Sequence, residues 1–146
     1  MLSHKFPFDT VQMPLNCFDG TYRSFEQQVL PELNRGIAPL GMKSFGGSGE
    51  ILRNGAVSPV EALSYATSLP VTVTISGVDT LEVLHQNLGI ACGFKSPEAS
   101  AMQALRERCR IYSADGRLEV FKMRVKYDGK IGREQHEYQS PEDLPL

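Results

Sequence analysis

The amino-acid sequence predicts an α/β fold: three parallel strand–helix units, followed by one more helix and an extended tail. Three observations carry that expectation. Runs of β-branched or alternating apolar residues precede segments of helical periodicity. Helix-start and helix-stop residues punctuate the chain where those periods change. The connections after the strands are rich in Gly and Ser, and strands alternating with helices argue for parallel βαβ units.

In chain order, Phe8 to Leu15 reads as the first strand. Ser24 to Asn34 follows as a helix with Phe25, Val29 and Leu33 at i, i+4 and i+8; Pro31 inside it predicts a kink or two short pieces. Asn34-Arg35-Gly36 ends it with a C-cap glycine. Ile37 to Met42 is the second strand, leading into Gly46-Gly47-Ser48-Gly49 and a short helical turn over Glu50 to Asn54. Ser58-Pro59-Val60-Glu61 starts a helix that runs to about Ser68, with Ser as cap, Pro at the first position and Glu at the third. Its Val60, Leu63 and Thr67 fall on one side.

Val71 to Ile75 is β-branched and reads as a buried strand that Ser76-Gly77 breaks. Asp79 offers the next helix a cap, with Glu82 completing a capping box. Leu81, Leu84, Leu88 and Ala91 form an apolar stripe expected to face a core. A strand feeding a helix through such a turn aims backbone N–H groups and a positive dipole end at a ligand, most often a phosphate. Ser96-Pro97-Glu98 opens a further helix with Met102, Leu105, Cys109 and Tyr112 as its stripe. Residues 1–113 thus make the organised part, and 114–146 a loosely docked extension with a β-like run at Leu118 to Val125 and a disordered end.

Composition narrows the function classes. The 146 residues carry a net charge of −2 with 41% hydrophobic and 22% charged residues, enough for one core. There is no basic excess to suggest nucleic acid, since Lys122, Arg124 and Lys126 are interleaved with hydrophobic residues. No apolar run approaches the ~20 residues of a membrane span, and MLSHKFPFD lacks the apolar region of a signal peptide. Cys17, Cys92 and Cys109 are odd in number and scattered, so neither a disulfide framework nor a zinc site is supported. Core filler in a reducing cytoplasm is the expectation for all of them. His4, His85 and His136 lie in the leader, in a helix and in the tail, away from any strand end, and read as surface residues, while the five tyrosines fall on helices or in the tail.

Three segments resemble the aldo/keto reductase family. Val11-Gln12-Met13-Pro14-Leu15-Asn16 resembles its sixth strand, Ile37 to Lys43 with Ser44-Phe45-Gly46-Gly47 its seventh, and Val71 to Ile75 with Ser76-Gly77 and Gln86-Asn87-Leu88 its eighth strand and helix. The likeness covers roughly residues 6 to 113. It implies the closing three units of a (β/α)₈ (TIM) barrel, whose full form takes eight units in about 250 residues. It also implies an enzyme reducing aldehydes or ketones with NADP or NAD, a small carbonyl substrate, and a Tyr, Asp, Lys and His catalytic set carried on earlier strands. No residue here matches that set.

What is present resembles the cofactor side. The resemblance gives Gln12 to the nicotinamide carboxamide, which an amide can meet as both donor and acceptor. Leu40, Gly41 and Lys43 belong to the strand end and loop that cover the pyrophosphate, where glycines allow close backbone approach. Gly77, Gln86 and Asn87 belong to the adenosine end, and Asn16 is a weaker candidate or a turn residue. Many NADP-specific members hold the 2′-phosphate with a basic residue about four positions before the Gln-Asn pair. Val83 stands there and Lys95 is too far along, which leaves NADP against NAD open. Two other readings remain: Lys43 as a Schiff-base lysine, which needs a desolvated pocket, and a non-catalytic protein that self-associates through open sheet edges. Half of a closed barrel is expected to fold marginally.

Overall fold

The computed structural model describes residues 6–33, 36–123, 133–134 and 137–139. Three strands, β1 (Thr10–Pro14), β2 (Ala38–Met42) and β3 (Val73–Thr74), form a parallel sheet in the order β1-β2-β3. This is the α/β arrangement that the alternating pattern predicts. Gln12 lies opposite Leu40, and Leu40 opposite Val73. The ladder continues past the regular strands, with the Leu15 N–H donating to the Met42 carbonyl at 2.9 Å and the Ile75 N–H to the Gly41 carbonyl at 2.7 Å. Central β2 tolerates Pro39 because pairing with β3 begins at Leu40, and the Pro39 carbonyl still accepts from the Thr72 N–H at 2.9 Å.

Alternation of Cβ atoms sorts the strand residues into two faces. Val11, Met13 and Leu15 point into the helix layer and are buried with Phe18, Ile51, Tyr65 and Leu105. Gly41 lies on that side too, where an added Cβ would sit 3.5 Å from Leu15 Cδ1. Gln12, Leu40 and Val73 share the opposite face, which nothing among the described residues covers: Gln12 is exposed, and Val73 and Ile75 keep 48% and 38% of their surface. The expected buried strand at Val71 to Ile75 is therefore an edge strand. Val71 still packs against the core and Thr74 is half-buried, whereas Val73 and Ile75 stay in water because they face the uncovered side.

The helices follow their punctuation closely. Pro31 splits the first into α1 (Phe25–Gln28) and a 3₁₀ turn at Leu30–Leu33, and the Ser24 hydroxyl accepts the Gln27 N–H at 3.0 Å. Next come α2 (Glu50–Arg53) and α3 (Pro59–Ser68). The α3 capping box is complete: Ser58 Oγ accepts the Glu61 N–H at 3.2 Å, and Glu61 Oε2 accepts the Ser58 N–H at 2.8 Å. Burial raises the Glu61 pKa, but hydrogen bonds from Arg108 and Ser58 outweigh it and hold the carboxyl below its usual range.

The buried face of α3 is Ala62, Leu63, Tyr65 and Ala66; of the side formed by Val60, Leu63 and Thr67, Leu63 alone is buried. Tyr65 takes the core position because its hydroxyl is satisfied there, donating to Glu26 Oε2 at 2.6 Å and accepting from Arg106 Nε at 2.7 Å. Burial, then the Glu26 carboxylate, push the phenol pKa well up. Val60 is left 57% exposed.

Two expectations for α4 (Leu81–Cys92) are corrected. Its cap is Thr80, whose Oγ1 accepts the Val83 N–H at 3.2 Å, because the chain enters the helix one residue later than an Asp79 cap requires. Its stripe does not face a core: Leu81 is 69% and Leu88 51% exposed, Ala91 is exposed, and Asn87 is its buried residue. A cavity of about 400 Å³ lies between α3 and α4, lined by Leu63, Thr74, Leu84 and Phe94 among others. Cys92 on α4 is exposed too, unlike Cys17 and Cys109.

Helix α5 (Ala99–Ser113) buries Met102, Leu105 and Cys109 as expected, and the Tyr112 ring stacks on Phe18 with centroids 6.1 Å apart. The extension is not loosely docked over its first part. Residues Val120–Met123 form a helical turn, α6, in place of the β-like run, and Glu119 and Lys122 are buried. A strand would send residues three apart to opposite faces, whereas a helical turn brings both charges to one side. The disordered end, Arg124 and Lys126 lie outside the described residues.

Candidate functional site: a cleft at the carboxyl ends of β2 and β3

Parallel strands deliver their following loops to one edge of the sheet, where α/β proteins bind ligands. Here the loop after β2 and the loop after β3 enclose a cleft of about 490 Å³, lined by Lys43, Ser44, Gly46, Gly47, Ser76, Gly77, Asp79 and Gln86 among others. Ser44 Oγ donates across it to the Ile75 carbonyl at 3.4 Å. The first loop turns sharply: Lys43 has φ +58°, Gly46 has φ +84°, and the Gly46 N–H returns to the Lys43 carbonyl at 2.9 Å. A Cβ at Gly46 would meet Glu50 Oε2 at 2.9 Å, a flexible side-chain end that can give way, so it is the positive φ that favours glycine there.

Of the residues singled out in the sequence, Lys43, Gly77 and Gln86 meet in this cleft. Asn87 stands behind it. Its Nδ2 donates to Ser76 Oγ at 2.9 Å and to the Gly77 carbonyl at 3.3 Å, and Gln86 Nε2 donates to its Oδ1 at 3.3 Å. Asn87 therefore fastens the Ser76-Gly77 turn to α4, and its amide is spent on the chain itself. Gln12 and Leu40 lie on the open sheet face, where Gln12 Nε2 approaches Met42 Sδ at 3.1 Å, and Gly41 is packed on the helix side. None of these three lines the cleft.

Asn16 is a turn residue, its carbonyl accepting the Asp19 N–H at 3.1 Å, but a buried one. It is fully buried, its Oδ1 accepting the Phe18 N–H at 2.8 Å and its Nδ2 donating to Glu119 Oε1 at 3.0 Å and to the Lys43 carbonyl at 3.4 Å. It belongs to a buried ion cluster at the end of β1. Lys122 Nζ lies 2.6 Å from Asp19 Oδ1, 2.7 Å from Glu119 Oε2 and 2.9 Å from the Tyr22 carbonyl. Asp19 also accepts from the Phe25 and Glu26 N–H groups and from Ser24 Oγ. Burial raises the Glu119 carboxyl pKa, and the Lys122 ammonium partly opposes it. Sequence alone had no access to this cluster, because Asp19 and Lys122 stand 103 residues apart. The Glu119–Lys122 spacing was its one local signal.

A dinucleotide's phosphates suit part of this arrangement. No carboxylate pairs with the Lys43 ammonium among the described residues, and space around Gly77 is open. The Ser48 N–H is already taken by Glu50 Oε2 at 2.6 Å and is not free for a ligand. The thiols offer no nucleophile at the cleft: a hydrogen bond to Cys109 and burial push the Cys17 pKa far up. No metal-binding group of three or more His, Cys, Asp or Glu occurs among the described residues, and none of their helices is long and apolar enough to cross a membrane. His85 is exposed on α4, while His4, His136 and Tyr127 lie outside the described residues. No known protein family, curated protein or solved structure matches the chain.

Proposed function

We propose that this chain is the C-terminal, cofactor-binding portion of an aldo/keto reductase, and that its sheet is the closing arc of a (β/α)₈ barrel. The observation that carries the reading is the cleft, where an unpaired lysine and two glycine-bearing loops meet at the carboxyl ends of adjacent parallel strands. The bare sheet face supports it, since parallel sheets are normally covered on both sides. In this reading NAD or NADP supplies a hydride to a small aldehyde or ketone, and the catalytic Asp, Tyr, Lys and His come from outside this chain. The residues present bind and orient. Lys43 offers its charge to phosphate, the Ser76-Gly77 turn allows close approach, and Gln12 presents an amide on the open face. Lys43 as a Schiff-base lysine loses ground, because its ammonium lines an open cleft rather than a desolvated pocket.

A titration of the chain with NADH and NADPH tests this, followed by the nicotinamide's own fluorescence, since the chain has no tryptophan. Saturable binding that weakens about tenfold in Lys43→Met is the expected result. Absence of saturable binding for both nucleotides overturns the proposal. The bare edge at β3, with Val73, Ile75, Leu81 and Leu88 exposed, favours a second reading as a non-catalytic, self-associating protein. Concentration-dependent oligomers that bind no nucleotide would select it.

A further inference from the structure

The only cation among the described residues lining the cleft is Lys43, and one direct contact and one relayed through Asn16 tie it to the same segment. Its ammonium lies over the Phe121 ring, 5.1 Å from the centroid. Its carbonyl accepts from Asn16 Nδ2, the same group that donates to Glu119 Oε1. Phe121 and Glu119 both belong to the strap of residues 115–123, which the Lys122–Asp19 ion pair pins to the end of β1. The left-handed backbone of Lys43 and the ring beneath its ammonium therefore fix both ends of a side chain that is otherwise free to sweep many rotamers. A ring engages the cation through its π face and leaves the ammonium N–H donors for an anion.

We propose that Phe121 is a positioning residue for the phosphate-binding cation: its ring holds the Lys43 ammonium at the cleft, so that the C-terminal strap sets the affinity for the dinucleotide phosphates. This rests on the dinucleotide reading above. Phe121→Leu keeps apolar volume and removes the π face, and Phe121→Tyr keeps the ring. A partly solvated cation–π contact corresponds to a factor of roughly two to five. The first measurement needs no nucleotide. Sulfo-N-hydroxysuccinimide acetate labels lysines at rates read by peptide mass spectrometry, with exposed Lys95 as internal reference. The second is the NADH titration.

Phe121→Leu is expected to acetylate Lys43 about two- to fivefold faster than the wild type and to bind NADH weaker by a similar factor, with Phe121→Tyr restoring both. Phe121→Met, a second ringless replacement, gives the same comparison where the leucine variant does not fold. Wild-type acetylation and NADH affinity in the ringless variants overturn the inference alone. So does a loss that Phe121→Tyr fails to restore, which marks packing rather than the ring. A wild-type chain that binds no NADH overturns the dinucleotide reading instead, and the acetylation arm separates that failure from this one.

Discussion

Replacing Lys122 by Met gives the sharpest test of how the C-terminal strap is held. Methionine keeps most of the apolar stem of lysine and removes the ammonium, with its charge and its N–H donors to Asp19 and the Tyr22 carbonyl. The Lys122 side chain is 1% exposed, and its ammonium lies 2.6 Å from Asp19 Oδ1 and 2.7 Å from Glu119 Oε2. Removing one partner of a buried ion pair costs about 3–5 kcal/mol, because the remaining charge is left without compensation. The two carboxylates are not equally stranded. Asp19 keeps two backbone N–H donors and the Ser24 hydroxyl, whereas Glu119 keeps the Asn16 amide at one oxygen while its Oε2 has no hydrogen bond. Glu119 can also take up a proton, as its raised pKa indicates, which places the expected loss near 3 kcal/mol. Against a total of about 5–15 kcal/mol for a domain, that shift is easily read as a fall in urea midpoint. The double variant Glu119→Gln, Lys122→Met should recover more than ~1 kcal/mol of it, because the stranded acid is then gone. A Lys122→Met chain within ~1 kcal/mol of the wild type would refute the account of the cluster.

Two further outcomes follow from the same contacts. Burial holds the folded Glu119 pKa above its ordinary value of 4.5, so above that pH the folded form keeps a proton the unfolded chain has released, and stability falls as pH rises through the folded value. Urea midpoints should therefore show Glu119→Gln gaining on the wild type from pH 4.5 to 7 and running parallel to it below; a gap constant with pH removes the linkage. Asn87→Leu leaves Ser76 Oγ and the Gly77 carbonyl without their donor and should lower stability by about 1–2 kcal/mol and weaken NADH binding, read by thermal melting and the fluorescence titration; unchanged values in both would show that the turn does not depend on this amide.

The elements were legible where a local rule decides them. Ser58, Pro59 and Glu61 form their capping box within four residues, and Pro31 breaks a helix by losing its own N–H, so neither depends on the rest of the chain. Burial is a different matter, because the same apolar stripe is core or surface according to what lies opposite. Met102, Leu105 and Cys109 joined the core, but Leu81 stays in water and Leu88 and Ala91 only border the open cavity against α3. The cleft was half legible. Lys43 and Gly77 follow from loops that any parallel strand sends to its carboxyl edge, whereas the inward turn of Asn87 comes from Ser76 and Gly77 folding back beneath α4. The buried cluster was illegible because a charged residue in the sequence reads as solvated until its partner is known, and here the partner is a hundred positions away.

The last strand–helix unit is the least packed. Among the described residues β1 and β3 each have β2 as their one strand neighbour. Strand β1 packs Val11, Met13 and Leu15 into the core, whereas β3 pairs over Val73–Thr74 alone and turns Val73 and Ile75 to the uncovered face. Helix α4 consequently spans the end of the layer with Asn87 as its buried residue, anchored by hydrogen bonds to a turn rather than by a core. Val73 and Ile75 on the open face and Leu81 and Leu88 on α4 are large apolar side chains still 38–69% exposed, so covering what remains is worth roughly 0.5–2 kcal/mol each. These residues belong to the unit that supplies Gly77 and Gln86 to the cleft. A surface that seats a further strand and helix beside β3 would bury them and stiffen the Gly77–Gln86 wall of the cleft together. Covering that edge and ordering that wall are thus one physical event, and under the proposed dinucleotide reading nucleotide affinity should rise with any partner that achieves it.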